Sequence, residues 1–279
     1  MCAGAAIGTR LIEIFQGDGM SNSAAKQALA IVMLSQERAP SNDTLGEAIA
    51  ARLPFEPIPS LDPHRMEPPI VFFVNGAMCT VMKIDKPCPL SPNEPGFAQA
   101  WYWPTAYSEL KEHKAHVIAS AGGDDPKASA AILGQLVAAI VEASTEAIGV
   151  NWAQSGAFFP AKSVPPSIPK GKFTPPTHFC VSVKIIPDEA QKDCEDGCVA
   201  ALSQGLSSFG LREIEARGFK GDPRSLYRQF IDLAEFLIDN GPVIEDGDTV
   251  GEDEATKIRV RHEASSLIPG VEVYRLYRP

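Results

Sequence analysis

Residues 221–262 read GDPRSLYRQFIDLAEFLIDNGPVIEDGDTVGEDEATKIRVRH and carry the clearest structural signals of the chain. Asp222 suits a helix N-cap, and Pro223 suits the first helical position, where its missing N–H costs nothing. Apolar residues then recur at three- and four-residue steps, as on the buried face of an amphipathic helix. Gly241-Pro242 predicts the helix end, because glycine accepts a left-handed conformation there and proline cannot continue the helix.

The second half of this segment predicts an acidic β-hairpin. We expect Val243-Ile244 to begin a strand, since both residues are apolar and Ile and Val favour strands. Asp246-Gly247 has the signature of a tight turn. Residues 257–261 alternate polar and apolar side chains, which is typical of a half-exposed strand.

The rest of the chain predicts strands and helices in mixed order. Asn75-Gly76 separates two β-rich runs, the strongest short signal for a hairpin. Asp125-Pro126 begins an alanine-rich apolar helix. Further strands are predicted at 28–34, 115–119, 148–152, 179–186, 199–202, 211–216 and 271–276. The pattern predicts an α+β fold with mixed, mainly antiparallel sheets flanked by helices, in two associated lobes.

The run from 160 to 176 is rich in Pro, Lys and Ser and shows no periodicity, which favours a linker. We therefore expect an N-terminal α+β lobe over 28–163, a linker over 164–176 and a C-terminal α+β lobe over 177–279. Residues 1–27 are predicted to be a tail that need not be ordered. They lack the basic and apolar segments of a signal peptide.

Composition restricts the class of protein. The 279 residues carry a formal net charge of −10. This disfavours nucleic acid and anionic membranes as partners, since both attract basic surfaces. It favours a basic protein partner instead. Six scattered cysteines in a chain of this size favour reduced thiols and a cytoplasmic location.

The sequence predicts no metal or cofactor. An EF-hand register that starts at Asp246 fails, because Val250 and Lys257 fall where oxygen ligands are required. Cys194 and Cys198 have neither the usual spacing nor a second pair. His113 and His116 lie three residues apart, but they form no HExxH motif.

The chain also lacks the sequence motifs of a nucleophilic hydrolase, a Walker A loop or a dinucleotide fingerprint, so no catalytic residue is predicted. Aromatic side chains and the acidic hairpin are the candidate ligand-binding groups, although the aromatic cluster is more readily explained as core. The candidate residues are Trp101, Trp103, Trp152, Asp246, Asp248 and His262.

Three segments together resemble a bacterial family, Domain of Unknown Function 4261. They are AWYWPTAYSELKEHKAHVIAS at 100–120, LSQGLSSFGLREIEA at 202–216 and LAEFLIDNGPVIEDGDTVGEDEATKIRVRH at 233–262. The resemblance extends by eye from about residue 30 onward. It implies a soluble bacterial domain and supplies no catalytic residue.

Two functions from different classes stay open at this stage. We expect a non-enzymatic binding or interaction protein, and an immunity-like role in bacterial competition is one form of it that the resemblance suggests. The alternative is a small-molecule binder or hydrolytic enzyme with an aromatic-lined pocket.

Overall fold

A computed structural model of the chain describes residues 27–54, 56–57, 69–188, 197–251 and 257–277. The predicted tail therefore lies outside the described residues, apart from residue 27. Two mostly antiparallel sheets flanked by helices confirm the predicted α+β class.

The first sheet has seven strands in the order β2-β3-β4-β5-β1-β6-β7. Its strands are β1 (Gln27–Leu34), β2 (Glu56–Pro57), β3 (Ile70–Val74), β4 (Ala77–Ile84), β5 (Ala115–Gly122), β6 (Ala147–Trp152) and β7 (Ala157–Pro160). The predicted Asn75-Gly76 turn joins β3 to β4, with positive φ at both residues, and Val74 pairs with Ala77 across it. Strand β1 lies centrally, antiparallel to both β5 and β6.

The second sheet has six strands in the order β11-β12-β13-β10-β9-β8. Its strands are β8 (Ser182–Pro187), β9 (Val199–Gln204), β10 (Glu213–Phe219), β11 (Thr249–Val250), β12 (Ile258–Ala264) and β13 (Glu272–Tyr277). The pair β10–β13 is parallel and the other pairs are antiparallel, so this sheet is mixed, as predicted.

Seven α-helices belong to the described part of the chain. They are α1 (Asn42–Ala50), α2 (Pro95–Gln99), α3 (Ala106–Leu110), α4 (Pro126–Ala143), α5 (Val164–Ser167), α6 (Thr177–Cys180) and α7 (Pro223–Asn240). Asp222 caps α7 by accepting the Arg224 N–H, and Asp125 caps α4 by accepting the Lys127 N–H. Helices α1 and α4 contact each other, and α4 contacts the first sheet, while α7 contacts β8, β9 and β10 of the second.

Helix α4 is long and apolar enough to cross a membrane by length and composition, with a mean hydropathy of 1.2. Within the fold, however, 67% of it is buried. A core helix of a soluble protein passes the same test, so the helix is weak evidence for a membrane span.

One hydrophobic cluster connects the two sheets. It contains Val32 of the first sheet, Phe179 of α6, Phe230 of α7 and Tyr274 of the second sheet, all buried. The predicted linker contributes Ile168 to the same cluster, and its α5 segment contacts α4. Apolar burial of this extent is the main term that stabilises such a fold.

Val243-Ile244 is not a strand, so that prediction was wrong. Asp248 folds back and accepts the Glu245 N–H at 2.8 Å, and Gly247 N donates to Val260 O at 2.9 Å. These bonds form a turn over 245–248, and the strand β11 begins only after it.

Cys198 is disulfide-bonded, so the prediction of reduced thiols was wrong for this residue. Cys79, Cys88 and Cys180 are free.

Candidate functional site

The three candidate tryptophans occupy different environments. Trp152 is fully buried and stacks on Phe179 with ring centroids 5.4 Å apart. Trp103 is buried in a second apolar cluster with Leu110. Trp101 is 54% exposed and meets the Tyr227 ring of α7 edge-on at 5.9 Å. They do not converge on one pocket, and the cavity beside Trp152 measures about 20 Å³, enough for about one water molecule.

The structure brings Asp246 and Asp248 of the 245–248 turn close to His262 of strand β12. The Asp246 carboxylate accepts the His262 backbone N–H at 2.9 Å and an Arg261 guanidinium N–H at 2.9 Å. The His262 ring donates from Nε2 to the Ile244 carbonyl at 3.0 Å. The hydrogen bond from His262 N, with the help of Arg261, lowers the pKa of Asp246. These polar groups are thus engaged in holding the turn, and a ligand-binding role for them stays a prediction.

A surface groove of about 430 Å³ opens near this turn, at the starts of the parallel strands β10 and β13. Its walls are formed by the 3-10 turn Leu206–Phe209, by the residues that lead into β10, and by Pro242 after the end of α7. Its lining residues are Ser207, Gly210, Leu211, Arg212, Glu213, Pro242, Val271, Glu272 and Tyr274.

Two polar atoms at this groove are buried and have no hydrogen-bond partner among the described residues. They are Nε of Arg212 and Oη of Tyr274. The Arg212 guanidinium carbon lies 5.9 Å from the Tyr274 ring centroid, and the His262 ring meets Tyr274 at 5.1 Å. Buried polar groups in folded proteins nearly always have a partner, so these two atoms mark a place where a partner is expected.

The carboxylate of Glu213 already accepts three hydrogen bonds, from the neighbouring strand β9 and from the turn that follows it. It accepts hydrogen bonds from Ser203 Oγ at 2.6 Å and from the N–H groups of Gly205 and Ser207 at 3.0 Å each. A carboxylate held in this way fixes the 3-10 turn at the wall of the groove. Because the Glu213 carboxylate is engaged in this way, it does not serve as a hydrogen-bond partner for the adjacent Arg212.

A second group of functional side chains lies at one end of the first sheet. One ligand atom from each of Cys88, His113 and His116 lies within 4.8 Å of the other two. Both histidines are buried, and Cys88 is half-buried. Burial lowers the pKa of each histidine and raises the pKa of the Cys88 thiol to about 11. Burial thus favours the uncharged form of all three side chains.

The sequence contained only part of the signal for this cluster. His113 and His116 are near neighbours in the chain, but Cys88 joins them through the pairing of β4 with β5. The groove likewise depends on the parallel pairing of β10 with β13, which brings Arg212 beside Tyr274. Neither arrangement follows from local spacing.

The fold and its groove define a two-sheet α+β protein with an open site on the second sheet. Residues 202–277 match the family model "Domain of unknown function (DUF4261)". The match confirms the resemblance for the segments at 202–216 and 233–262, whereas the segment at 100–120 lies outside the matched range. No curated protein and no solved structure matches the chain. The whole groove lies within the matched residues.

Proposed function

We propose that the chain is a non-enzymatic binding protein that receives a segment of a protein partner in the groove of the second sheet. The observation that carries the proposal is a pair of polar atoms, Arg212 Nε and Tyr274 Oη, that have no hydrogen-bond partner within the described part of the chain and belong to residues that line a groove of about 430 Å³. A concave site with a few convergent polar groups is the usual form of a ligand site.

The chemistry of the groove specifies what the segment supplies. The Arg212 Nε–H can only donate, and the Tyr274 hydroxyl is free to donate or accept. A backbone carbonyl of an extended segment, or a side-chain carboxylate, satisfies both. The apolar lining from Leu211 and Val271 suits a peptide segment better than a compact ion.

Charge favours a basic partner at longer range. The net charge of −10 raises the rate of association with a positively charged protein, and the wall residue Glu272 is exposed. We propose neither nucleic acid nor a membrane as partner, since both favour a basic surface.

A small-molecule binder or hydrolytic enzyme is the second candidate function, with the groove rather than the tryptophans as its site. The size of the groove is within the range of small-molecule pockets. The saturation of Glu213 by three hydrogen bonds favours binding over hydrolysis, because it leaves this carboxylate engaged in structure.

The test is a selection from a random peptide library on the immobilised protein, followed by affinity measurement for each selected peptide. Tyr274→Phe is the decisive variant. It removes a buried hydroxyl that no other described residue pairs with, so the free energy of unfolding should stay within about 1 kcal/mol of wild type or rise. Peptide affinity should nevertheless fall by about tenfold, since one hydrogen bond is worth about 1 kcal/mol or more in a buried site.

Arg212→Gln should weaken the same peptides, and Tyr277→Phe is the matched control. Tyr277 lies on the same strand, is 46% exposed and donates to Glu263 outside the groove. Peptides whose affinity is unchanged by both groove variants would refute the groove as the binding site. If carboxylate or phosphate compounds bind in an Arg212-dependent manner and no peptide does, the small-molecule function replaces the peptide one.

An immunity-like role is the biological setting that we propose for this binding. Deletion of the chain should then reduce the survival of the bacterium beside a competing strain. If survival is unchanged, this setting is wrong and the binding function is tested by the peptides alone.

We also propose a cytoplasmic location, in agreement with the free thiols of Cys79, Cys88 and Cys180. The disulfide at Cys198 argues against it, because disulfides are rare in reducing compartments. Alkylation of cell lysate under denaturing, non-reducing conditions tests this directly. Full alkylation of Cys198 supports the cytoplasm, and its protection points to an oxidising compartment.

A further inference from the structure

We infer that Cys88, His113 and His116 form a binding site for a zinc ion. One thiol and two imidazoles are ligands that zinc prefers, and three protein ligands leave a fourth position for water or another ligand. This site is on the first sheet, so it is independent of the groove and of the function proposed for it.

Hydrogen bonds set both rings in the tautomer that a metal needs. His113 Nδ1 lies 2.6 Å from the Leu110 carbonyl, and His116 Nδ1 lies 2.7 Å from the Lys86 carbonyl. A carbonyl oxygen can only accept, so each Nδ1 carries the proton and each Nε2 carries the lone pair. Metal-bound histidines in proteins show this second hydrogen bond almost always, since it fixes the ring and raises its basicity.

The three residues are held by different elements that meet at one end of the first sheet. His116 is the second residue of β5 and pairs with Ile84 at the end of β4. His113 lies in the short connection between α3 and β5, and Cys88 lies in the loop after β4. Pro87 and Pro89 flank Cys88 and restrict its backbone. The fold therefore holds the three side chains near one another.

The distances are close to those of a bound site. Cys88 Sγ lies 3.3 Å from His113 Nε2, and no pair of the three ligand atoms is more than 4.8 Å apart. Bonds of about 2.0–2.3 Å in a tetrahedron place ligand atoms roughly 3.3–3.8 Å from one another. A pair at the 4.8 Å limit must approach by about 1 Å as the ion binds. Cys88 is half-buried, so its thiol can meet an ion from solvent.

One contact competes with the ion. The Cys88 backbone N–H donates to His113 Nε2 at 2.8 Å and occupies the lone pair in this structure. Zinc must displace this hydrogen bond, and it must also displace the thiol proton, which passes to the solvent as the zinc–thiolate bond forms. A histidine that only secures the Cys88 loop would show the same hydrogen bond, so metal binding itself is the test.

The experiment uses the full chain after treatment with a chelator. Titration with Co²⁺ should give a thiolate-to-metal charge-transfer band that saturates at one ion per chain, and Zn²⁺ should abolish the band by replacing Co²⁺. Cys88→Ser should remove the band. His116→Ala should weaken Zn²⁺ binding by at least the roughly 10–100-fold that the loss of an outer-shell partner costs.

Cys79→Ala is the matched control, because Cys79 is a free, buried thiol of β4 outside the cluster. It should keep the band. Circular dichroism establishes that each variant is folded, and a rise in melting temperature with Zn²⁺, seen in wild type and Cys79→Ala only, is an independent measurement. The inference is overturned if wild type shows no thiolate band, or if Zn²⁺ binds equally well to Cys88→Ser and His116→Ala.

Discussion

Arg52 is a buried cation that connects three parts of the first lobe, and its replacement by methionine is expected to be costly. Its guanidinium donates to both carboxylate oxygens of Glu142 at 2.6 and 2.8 Å. It also donates to Gln135 Oε1 and to the Ile168 carbonyl, at 2.9 Å each. The side chain thus joins the end of α1 to α4 and to the segment after α5.

The magnitude follows from the acceptors that Arg52→Met leaves behind. Gln135 is fully buried and Ile168 is 4% exposed, so each loses a partner that water cannot easily replace. An unsatisfied buried acceptor costs about 1–3 kcal/mol. Glu142 is 33% exposed in its side chain, so the loss of its ion pair adds only about 1 kcal/mol. Two such acceptors and the ion pair together predict a loss of about 3–7 kcal/mol in the free energy of unfolding.

Urea unfolding, followed by tryptophan fluorescence and circular dichroism together, measures this loss. Coincident transitions justify a two-state free energy. Lys170→Ala is the exposed control, since Lys170 lies 3.7 Å from the same Glu142 carboxylate, and it should change stability by less than about 0.5 kcal/mol. If Arg52→Met is as stable as Lys170→Ala, the reasoning from buried acceptors is refuted.

The ion pair of Arg52 with Glu142 predicts that the free energy of unfolding depends on pH. The hydrogen bond from Arg52 lowers the pKa of Glu142 from its ordinary value of 4.5. The folded state therefore binds this proton less readily than the unfolded state, and the contribution to stability is complete above 4.5 and is lost as pH falls through the lower, folded pKa. The stability difference between wild type and Glu142→Gln should shrink over that acid range, and a difference that stays constant would contradict the assignment.

Two further substitutions test the packing. Gly205→Ala should destabilise the folded state by about 2–4 kcal/mol in thermal unfolding, because φ of Gly205 is +125° and a Cβ would lie 2.1 Å from the Cys180 carbonyl oxygen. Gly171→Ala is the comparison, since there is open space where its Cβ would lie, and it should cost about 1 kcal/mol. Trp152→Leu should cost about 3 kcal/mol in urea unfolding, since it opens a cavity beside Phe179, whereas Trp101→Leu at the exposed position should cost less than about 1 kcal/mol. Equal effects within either pair would contradict the packing described here.

Helices and hairpins whose start, end or turn is specified by residues next to one another in the chain could be predicted from the sequence. Helix α7 is the clearest example, because its N-cap at Asp222, its first-turn Pro223 and its stop at Gly241 are all specified within the helix or next to it. The β3–β4 hairpin is similar, since Asn75 and Gly76 both adopt positive φ, as a tight primed turn requires.

Elements that depend on distant contacts could not be predicted in this way. Val243-Ile244 has the composition of a strand, but Pro242 before it lacks a backbone donor and the Asp248 side chain folds back over the turn. The strand β11 consequently begins at Thr249, where Arg259 of β12 is opposite. Apolar composition alone does not reveal which backbone segment obtains a partner.

The candidate sites show the same limit more strongly. Asp246 and His262 were both candidate residues and lie in contact, but the carboxylate accepts the backbone N–H of His262 and not its ring. The Cys88 cluster and the Arg212 groove each combine residues from separate segments that the sheets bring together, so the topology of each sheet had to be known first. Trp101, Trp103 and Trp152 attracted attention by residue type, but the fold separates them.

The central position of β1 has a consequence for the order of events during synthesis on the ribosome. Ile31 pairs with Ile118 on one side and with Asn151 on the other, both far downstream. At roughly 5–20 residues per second, this apolar strand emerges several seconds before either neighbour exists. Until then its two edges are open to other chains, so the nascent protein should be a client of chaperones that shield exposed strands.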